Sequence, residues 1–467
     1  MDERTGSPAE AAREKARREI GRRRLLDFTI YTFPSYQCAT HLRLLAEKLE
    51  AVERREISRL MVFMPPRHGK TELAGVRFPA WWLGRHPEDP IIFASYGATL
   101  AQGKSRECRD LVESQRYQNI FGRFSCVDEP VDVAQEQRAV AGWRIEGHRG
   151  GMLATGVGGA ATGYGAKLLI IDDAHKNRQE ANSAAMREAI WGWYISTART
   201  RLEPGAVIVL IQTRWHQDDL AGRLLRQMET DPRADQWQVL HLPAISEEGQ
   251  ALWPERYPLE ELEKIKATIG SWEFAALYQG HPRPLEGALF RREWFRIVDH
   301  LPAGIRLVRF WDLAATTKTT SDYTAGALVG LGEDGTLYIG DVTKGRWEWP
   351  DARRNIRLMA LADGPAVVIG IEEAMLQVAM TQELRREPQL ATHTMRGVRV
   401  ETDKVVRANA WAARAEAGKV ALVAGPWIGN FLSEVCDFPM AEHDDQVDAV
   451  SGGVAMLARL GTVISFV

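Results

Sequence analysis

Short apolar runs recur along this chain, each closed by a polar or glycine-bearing turn and most followed by a stretch of helical period. Leu60-Met61-Val62-Phe63-Met64, Ile91-Ile92-Phe93-Ala94, Leu168-Leu169-Ile170-Ile171 and Val207-Ile208-Val209-Leu210-Ile211 are continuously apolar. That is the pattern of strands covered on both faces. Helical stretches at Leu42–Val52, from beyond the strand Ile91–Tyr96 through Val112, and at Ala184–Thr200 alternate with them, which predicts a mainly parallel α/β sheet. From Asp231 to Arg292 the pattern loosens, and Pro-containing segments bracket one amphipathic stretch, Leu259–Tyr278. It then restarts. Arg306–Asp312, Tyr323–Leu331 and Leu337–Val342 predict an antiparallel meander. A helix over Asp351–Leu361, a buried strand over Ala366–Ile371 and an apolar C-terminal helix follow, so this half predicts a mixed sheet. The expected organisation is an arm over 1–44, an α/β domain over 45–230, a connecting segment over 231–292 and a second α/β domain over 293–467.

Composition narrows the class. A length of 467 residues accommodates two or three cores. No apolar run approaches the ~20 residues of a membrane span, and the N-terminus lacks the apolar core of a signal peptide. Cys38, Cys108, Cys126 and Cys436 lie far apart without a C-x-x-C pair, which argues against a zinc site or disulfide framework. The net charge of −3 means that any nucleic-acid binding rests on a local basic patch or a ring of subunits. The charge-dense stretch Met1–Arg24 reads as a solvated helix or frayed arm.

The first chemistry lies at Pro65-Pro66-Arg67-His68-Gly69-Lys70-Thr71, between the first apolar run and a helical segment. A strand, a tight basic loop and a helix start make a phosphate cradle in which backbone N–H groups and the helix dipole face an anion. Pro66, Arg67, His68 and Gly69 would line it, Lys70 would reach the β/γ-phosphates, and the Thr71 hydroxyl would sit on Mg²⁺. The leading position of G-x-x-x-x-G-K-[ST] is Pro65 here, so the motif is a deviant one. Its expected partners follow. The run Leu168–Ile171 ends in Asp172-Asp173, one acid to hold Mg²⁺ through water and the next to orient the attacking water. Gln212 or Thr213, after another central strand, would sense the γ-phosphate. Gln37 would read an adenine edge. Arg214 is either part of that crevice or a structural partner of Asp218 or Asp219. The glycine-dense stretch within Trp143–Gly165, with Arg149-Gly150-Gly151 and then Thr155–Gly165, reads as a long loop lining the nucleotide or a DNA track.

The second chemistry is carboxylate. Asp312 ends the meander's first strand, Glu372-Glu373 end the later strand, and Asp444, Asp445 and Asp448 open the last helix. Such acids converge at one sheet edge and repel unless cations neutralise them, and all-oxygen sites suit Mg²⁺ or Mn²⁺. Two such ions activate water and stabilise the leaving oxygen of a phosphodiester. Strand alternation lets only one of Glu372 and Glu373 join, and the apolar count favours Glu372. Asp312, Glu372 and Asp445 with Asp444 assisting are the expected ligands. Asp322 and Asp448 are expected behind them.

These motifs together resemble the large terminase subunit of tailed double-stranded DNA bacteriophages. They are P-P-R-H-G-K-T at 65–71, the G-V-G-G…T-G-Y-G loop, I-I-D-D at 170–173, Q-T-R-W-H-Q-D-D-L at 212–220, and W-D-L-A with H-D-D-Q-V-D. The resemblance implies a P-loop ATPase joined to a ribonuclease H-like nuclease, using ATP and Mg²⁺ to thread viral DNA through a portal into a procapsid and cutting concatemers. It further implies a small terminase subunit as partner, a homo-oligomeric ring on the portal, and action in the host cytoplasm. Two departures stand out. The acid after Asp172 is Asp173 where relatives carry Glu. Relatives also place an arginine finger before the acidic strand, where Arg149 is the nearest candidate here. A host helicase-nuclease or DNA repair ATPase is the rival, and it lacks strand-separation elements in this sequence. A small-molecule kinase with an acidic regulatory half is a third reading.

Overall fold

The apolar runs become the centres of two separate sheets. A computed structural model describes residues 8–125, 129–159, 163–283, 289–314, 323–372, 377–400, 403–441 and 443–461. The chain divides into two compact units, one running to Leu262 and including Glu273–Arg283, the other comprising Glu263–Trp272 and the chain from 284 onward.

The first unit is built on β1 (Arg59–Phe63), β2 (Pro90–Ser95), β3 (Val133–Ala139), β4 (Gly142–Ile145), β5 (Gly151–Gly156), β6 (Ala166–Asp172), β7 (Leu202–Gln212) and β8 (Gln238–His241). Their order is β3-β4-β5-β2-β6-β7-β1-β8. The five central and outer pairings from β5 through β8 are parallel, and β3-β4-β5 is antiparallel. Both faces are covered, one by the core of Leu73, Trp81, Trp82, Phe93 and Ile170, the other by that of Met61, Ile92, Leu169, Ile208 and Leu210. Each such side chain, fully buried, stabilises the fold by about 1.5–3 kcal/mol. Two expectations change. The glycine-dense stretch is not one loop, because Gly151–Gly156 forms β5 with Met152 and Ala154 buried. Gly150 and Gly151 are required by close approach: a Cβ there would meet the Pro87 and Trp143 carbonyl oxygens at 2.1 and 2.2 Å. And Gln238–His241, from the loosely patterned segment, pairs with β1 as an edge strand. The N-terminal helix Pro8–Arg23 is docked rather than frayed, since Trp81 Nε1 donates to the Gly21 carbonyl at 3.2 Å.

The helix after the phosphate loop starts at Lys70, widens into a π-turn over Glu72–Arg77 and resumes as α-helix at Phe78–Arg85. Pro79 has no N–H to close onto the fourth residue back, and the wider turn absorbs that missing bond.

The second unit carries β9 (Phe295–Val298), β10 (Arg306–Asp312), β11 (Thr324–Leu331), β12 (Leu337–Gly345), β13 (Val368–Glu372), β14 (Met395–Val398) and β15 (Val420–Val423). Their order is β14-β13-β10-β11-β12-β15-β9. β10-β11-β12 is the antiparallel meander, and β13 adds in parallel to β10. The C-terminal helix Asp445–Gly461 packs Val447, Val450 and Met456 into the same core as Val308, Phe310 and Val329. Small residues permit that contact: a Cβ on Gly452 would strike the Phe310 ring at 2.2 Å.

Candidate functional sites

In the first unit β1, β2, β6 and β7 all end at one edge, which is where open α/β sheets gather ligands. The phosphate loop turns there by two left-handed residues, Arg67 (φ 62°) and Gly69 (φ 90°). The loop is buttressed from outside its own sequence. His41 Nε2 meets the His68 carbonyl at 2.9 Å, the His68 ring stacks on Tyr257 at 4.6 Å, and a Cβ on Gly69 would meet Leu42 at 3.1 Å. His68 is fully buried, and desolvation holds its imidazole neutral with a pKa lowered to about 4. Pro66 is half-buried and Arg67 exposed, and Gln37 is exposed in the loop before helix Thr40–Glu53.

Lys70 reaches across the edge. Its ammonium contacts the Asp173 carboxylate at 3.0 Å and the Thr213 hydroxyl, while the Thr213 N–H donates to Asp173 at 2.7 Å. The ends of the phosphate loop, β6 and β7 are thereby tied through one carboxylate. Asp173 takes a left-handed φ of 49°, which turns it off the strand toward Lys70. Asp172 remains in the strand, beside Ser95 in register. Desolvation and the neighbouring Asp173 push Asp172 up to about 7, against the Lys70 charge, a hydrogen bond from Thr71 and the Lys104 charge. Asp172 Oδ1, Ser95 Oγ and both amide atoms of Gln212 are buried without a hydrogen-bond partner. An acid pair short of cation beside orphaned polar atoms fits a divalent ion with its waters.

The alternatives for Arg214 resolve. Arg214 is structural, since its Nε donates to Asp219 Oδ2 at 2.9 Å, and Asp219 caps helix Leu220–Thr230 through the Gly222 N–H. Arg149 lies outside the group. It precedes β5, whose first residue pairs with Pro90 at the amino end of β2, a strand length (roughly 17 Å) from Ser95. There it is 67% exposed and bonded to Glu203 at 3.1 Å. Its nearness in sequence is undone because β5 runs parallel to β2, which puts the strand's start at the edge opposite the ligand.

In the second unit Asp312 and Glu372 each follow the last registered pair, Trp311–Ile371, so both point to one face. Desolvation and the charges of Glu372, Asp448 and Asp445 push Asp312 well above the usual carboxylate range, with Arg407 opposing. Glu372 is raised by desolvation and Asp448 pushed up to about 7 by the same cause. Asp445 is buried and accepts the Tyr323 N–H at 3.1 Å. This is an all-oxygen donor set in mutual repulsion, the chemistry of a hard divalent site. As placed, no three acids among the described residues close on a common point.

Asp444 is ion-paired. Lys404 contacts its carboxylate, and Arg407 donates to Asp448 at 2.9 Å, so two cations on helix Lys404–Glu416 engage one acid just before the last helix, Asp445–Gly461, and one in its first turn. Nε and Nη1 of Arg407 are buried without partners beside the acids. Neither cation carried a signal in sequence beyond the i,i+3 spacing of Lys404 and Arg407. Glu373 and Asp322 fall outside the described residues.

Comparisons with known proteins agree across both units. Residues 61–297 match the family description "Terminase large subunit, T4likevirus-type, N-terminal", and residues 309–457 match "Terminase RNaseH-like domain". No curated protein matches the sequence. Among solved structures, the large terminase from a thermophilic bacteriophage, in its crystal form 2, is 12% identical, with 91% of this chain and 100% of that chain covered and a TM-score of 0.54. Crystal form 3 of the same protein gives 13%, 90%, 98% and 0.51. Its complex with ATP-gamma-S gives 11%, 89%, 98% and 0.50. A P-loop α/β unit followed by a ribonuclease H-like unit, each matched by its own family description, makes this chain a member of the large terminase subunit family, the ATPase–nuclease of viral DNA packaging.

Proposed function

We propose that ATP and Mg²⁺ bind at the carboxyl ends of β1, β2, β6 and β7, and that divalent ions held by Asp312, Glu372 and Asp445 support cutting of double-stranded DNA. The observation carrying the first half is the Lys70–Asp173–Thr213 cluster beside the orphaned Asp172 and Ser95. Backbone N–H groups of Pro66-to-Thr71, less the proline, cradle the phosphates, and Gln37 is assigned to the adenine side. Phosphate oxygens compete with Asp173 for the Lys70 ammonium. Drawing Lys70 away frees the Asp173 carboxylate to orient water and accept its proton, while Thr213 registers the change at the end of β7. Thr71 and Asp172 hold the ion. When bound, divalent cations neutralise phosphoryl charge in the first unit and activate water in the second. The thermophilic-phage large terminase crystallised with ATP-gamma-S supports this nucleotide.

In the second unit Asp312, Glu372 and Asp445 hold the ions, with Asp444 and Asp448 tethered to Lys404 and Arg407 behind them. The wider partners are the portal of a procapsid and a small terminase subunit, engaged by a ring of this chain in the host cytoplasm. No described helix is long and apolar enough to cross a membrane. In such a ring Arg149 would act on a neighbour's nucleotide, and mixing Arg149→Ala with Lys70→Ala subunits restores hydrolysis only if sites are shared. The deciding experiment pairs two variants. Lys70→Ala abolishes ATP hydrolysis and leaves plasmid cutting, and Asp312→Asn does the reverse. Wild-type ATP turnover in Lys70→Ala, or wild-type cutting in Asp312→Asn, removes the corresponding half.

A further inference from the structure

The antiparallel pairing of β11 with β12 ends at Thr324–Gly345, so Tyr323 and Arg346 flank the last pair and emerge side by side. The Arg346 guanidinium lies 4.5 Å over the Tyr323 ring, Lys344 Nζ is 4.9 Å from the same ring, and His443 meets its edge at 4.8 Å. The Tyr323 backbone joins this cluster to the acids by donating to Asp445 at 3.1 Å. The two cations differ in state. Lys344 is committed to Glu434 at 2.7 Å. Arg346 is exposed and has no carboxylate partner among the described residues, its one polar contact being His443 Nε2 at 3.4 Å. Arg309, Arg353 and Arg407 of this unit are ion-paired, and Arg306 and Arg414 donate to backbone carbonyls.

We propose that Arg346, stacked on Tyr323, is a subsite for the phosphate backbone of the DNA strand brought to the acid cluster. The inference rests on reading that cluster as the nuclease site. A guanidinium held over a ring is pre-organised, and its remaining donors can pair bidentately with two oxygens of a tetrahedral phosphodiester. Position supplies the need. Asp312, Glu372 and Asp445 repel a polyanion, and a cation fixed one hydrogen bond away from Asp445 offsets that repulsion for the flanking phosphates. Tyr323, His443 and Arg346 present no base-edge pattern in a groove, so the contact positions the strand without reading sequence.

The test measures binding and cutting of a fluorescent duplex of arbitrary sequence by the full chain across a NaCl series. Binding is measured in an Asp312→Asn background so that the duplex survives. Arg346→Ala is expected to weaken binding several-fold and to make the slope of log affinity against log salt shallower by about one, the signature of one lost phosphate contact. In the cutting-competent chain it raises KM several-fold with little change in kcat. Arg346→Lys recovers most of the affinity. Arg354→Ala, an exposed arginine paired with Asp351 on helix Trp349–Asp363, keeps wild-type affinity and slope. An unchanged salt slope in Arg346→Ala overturns the subsite, as does a fall in kcat at constant KM. If Asp312→Asn still cuts the duplex, the nuclease reading fails instead, and the salt slope continues to judge Arg346.

Discussion

Glu273→Gln is the most searching perturbation of the first unit, because it acts on the ATPase edge without touching it. Arg178 opens helix Arg178–Asn182, five residues after Asp173, and its side chain is 7% exposed. Its Nε donates to Glu273 Oε1 at 3.3 Å, Nη2 contacts the other oxygen, and Nη1 contacts the Trp215 carbonyl. The guanidinium also lies 5.5 Å over the Trp215 ring. One buried cation thus joins the loop after the β6 acids, the loop after Thr213 and helix Leu259–Leu277. Desolvation lowers the Arg178 pKa and the Glu273 charge opposes that shift, so the pair is interdependent. Removing one partner of such a pair costs roughly 3–5 kcal/mol, because the other charge stays buried and uncompensated. At about 2–4 °C per kcal/mol for a unit of this size, the first unit's melting midpoint falls by roughly 10 °C. The double variant Arg178→Met/Glu273→Leu removes both charges and recovers most of that loss. It does not recover ATP turnover, since Met cannot hold the Trp215 carbonyl and the Thr213 loop is released. Calorimetry and steady-state ATP hydrolysis on the full chain decide. A midpoint for Glu273→Gln indistinguishable from wild type, or full turnover in the double variant, would refute the reasoning.

Gly69→Ala places a side chain at φ 90° and against Leu42 at 3.1 Å; it is expected to destabilise by about 1–2 kcal/mol and to abolish nucleotide binding by titration calorimetry. His68, at about 4 against an ordinary value near 6.5, is neutral when folded, so the unfolded chain takes the proton first. Its contribution is complete above about pH 6.5 and is lost as pH falls toward 4, on the order of 3 kcal/mol, and His68→Gln should flatten that part of the melting-versus-pH curve. Asp363→Asn leaves Arg309, 2% exposed and shared with Asp341, short of its bidentate partner; the second unit should lose roughly 3 kcal/mol in denaturant melts while ATP hydrolysis persists. Millimolar Mg²⁺ or Mn²⁺ should raise the second unit's midpoint in wild type and by clearly less in Asp312→Asn, with EDTA reversing it.

The sequence by itself determined what depends on local pattern. Continuous apolar runs set β1, β2, β6 and β7, because a strand covered on both faces admits no polar alternation. A basic turn before a helix start marked the phosphate loop, and its left-handed Gly69 was required by that turn. Acids at strand ends marked Asp172, Asp312 and Glu372, because open sheets present their carboxyl ends to ligands. What only the tertiary structure decided is which distant residues meet, and register and strand direction govern that. Ser95 became the neighbour of Asp172 through parallel pairing 77 positions apart in the chain. Arg149 was carried to the far edge because β5 runs with β2 rather than against it. Glu273 found Arg178 at a separation of 95 residues, and Lys404 and Arg407 took up Asp444 and Asp448 across two packed helices. A buried charge must find its partner in three dimensions, and periodicity along one dimension carries no record of the search.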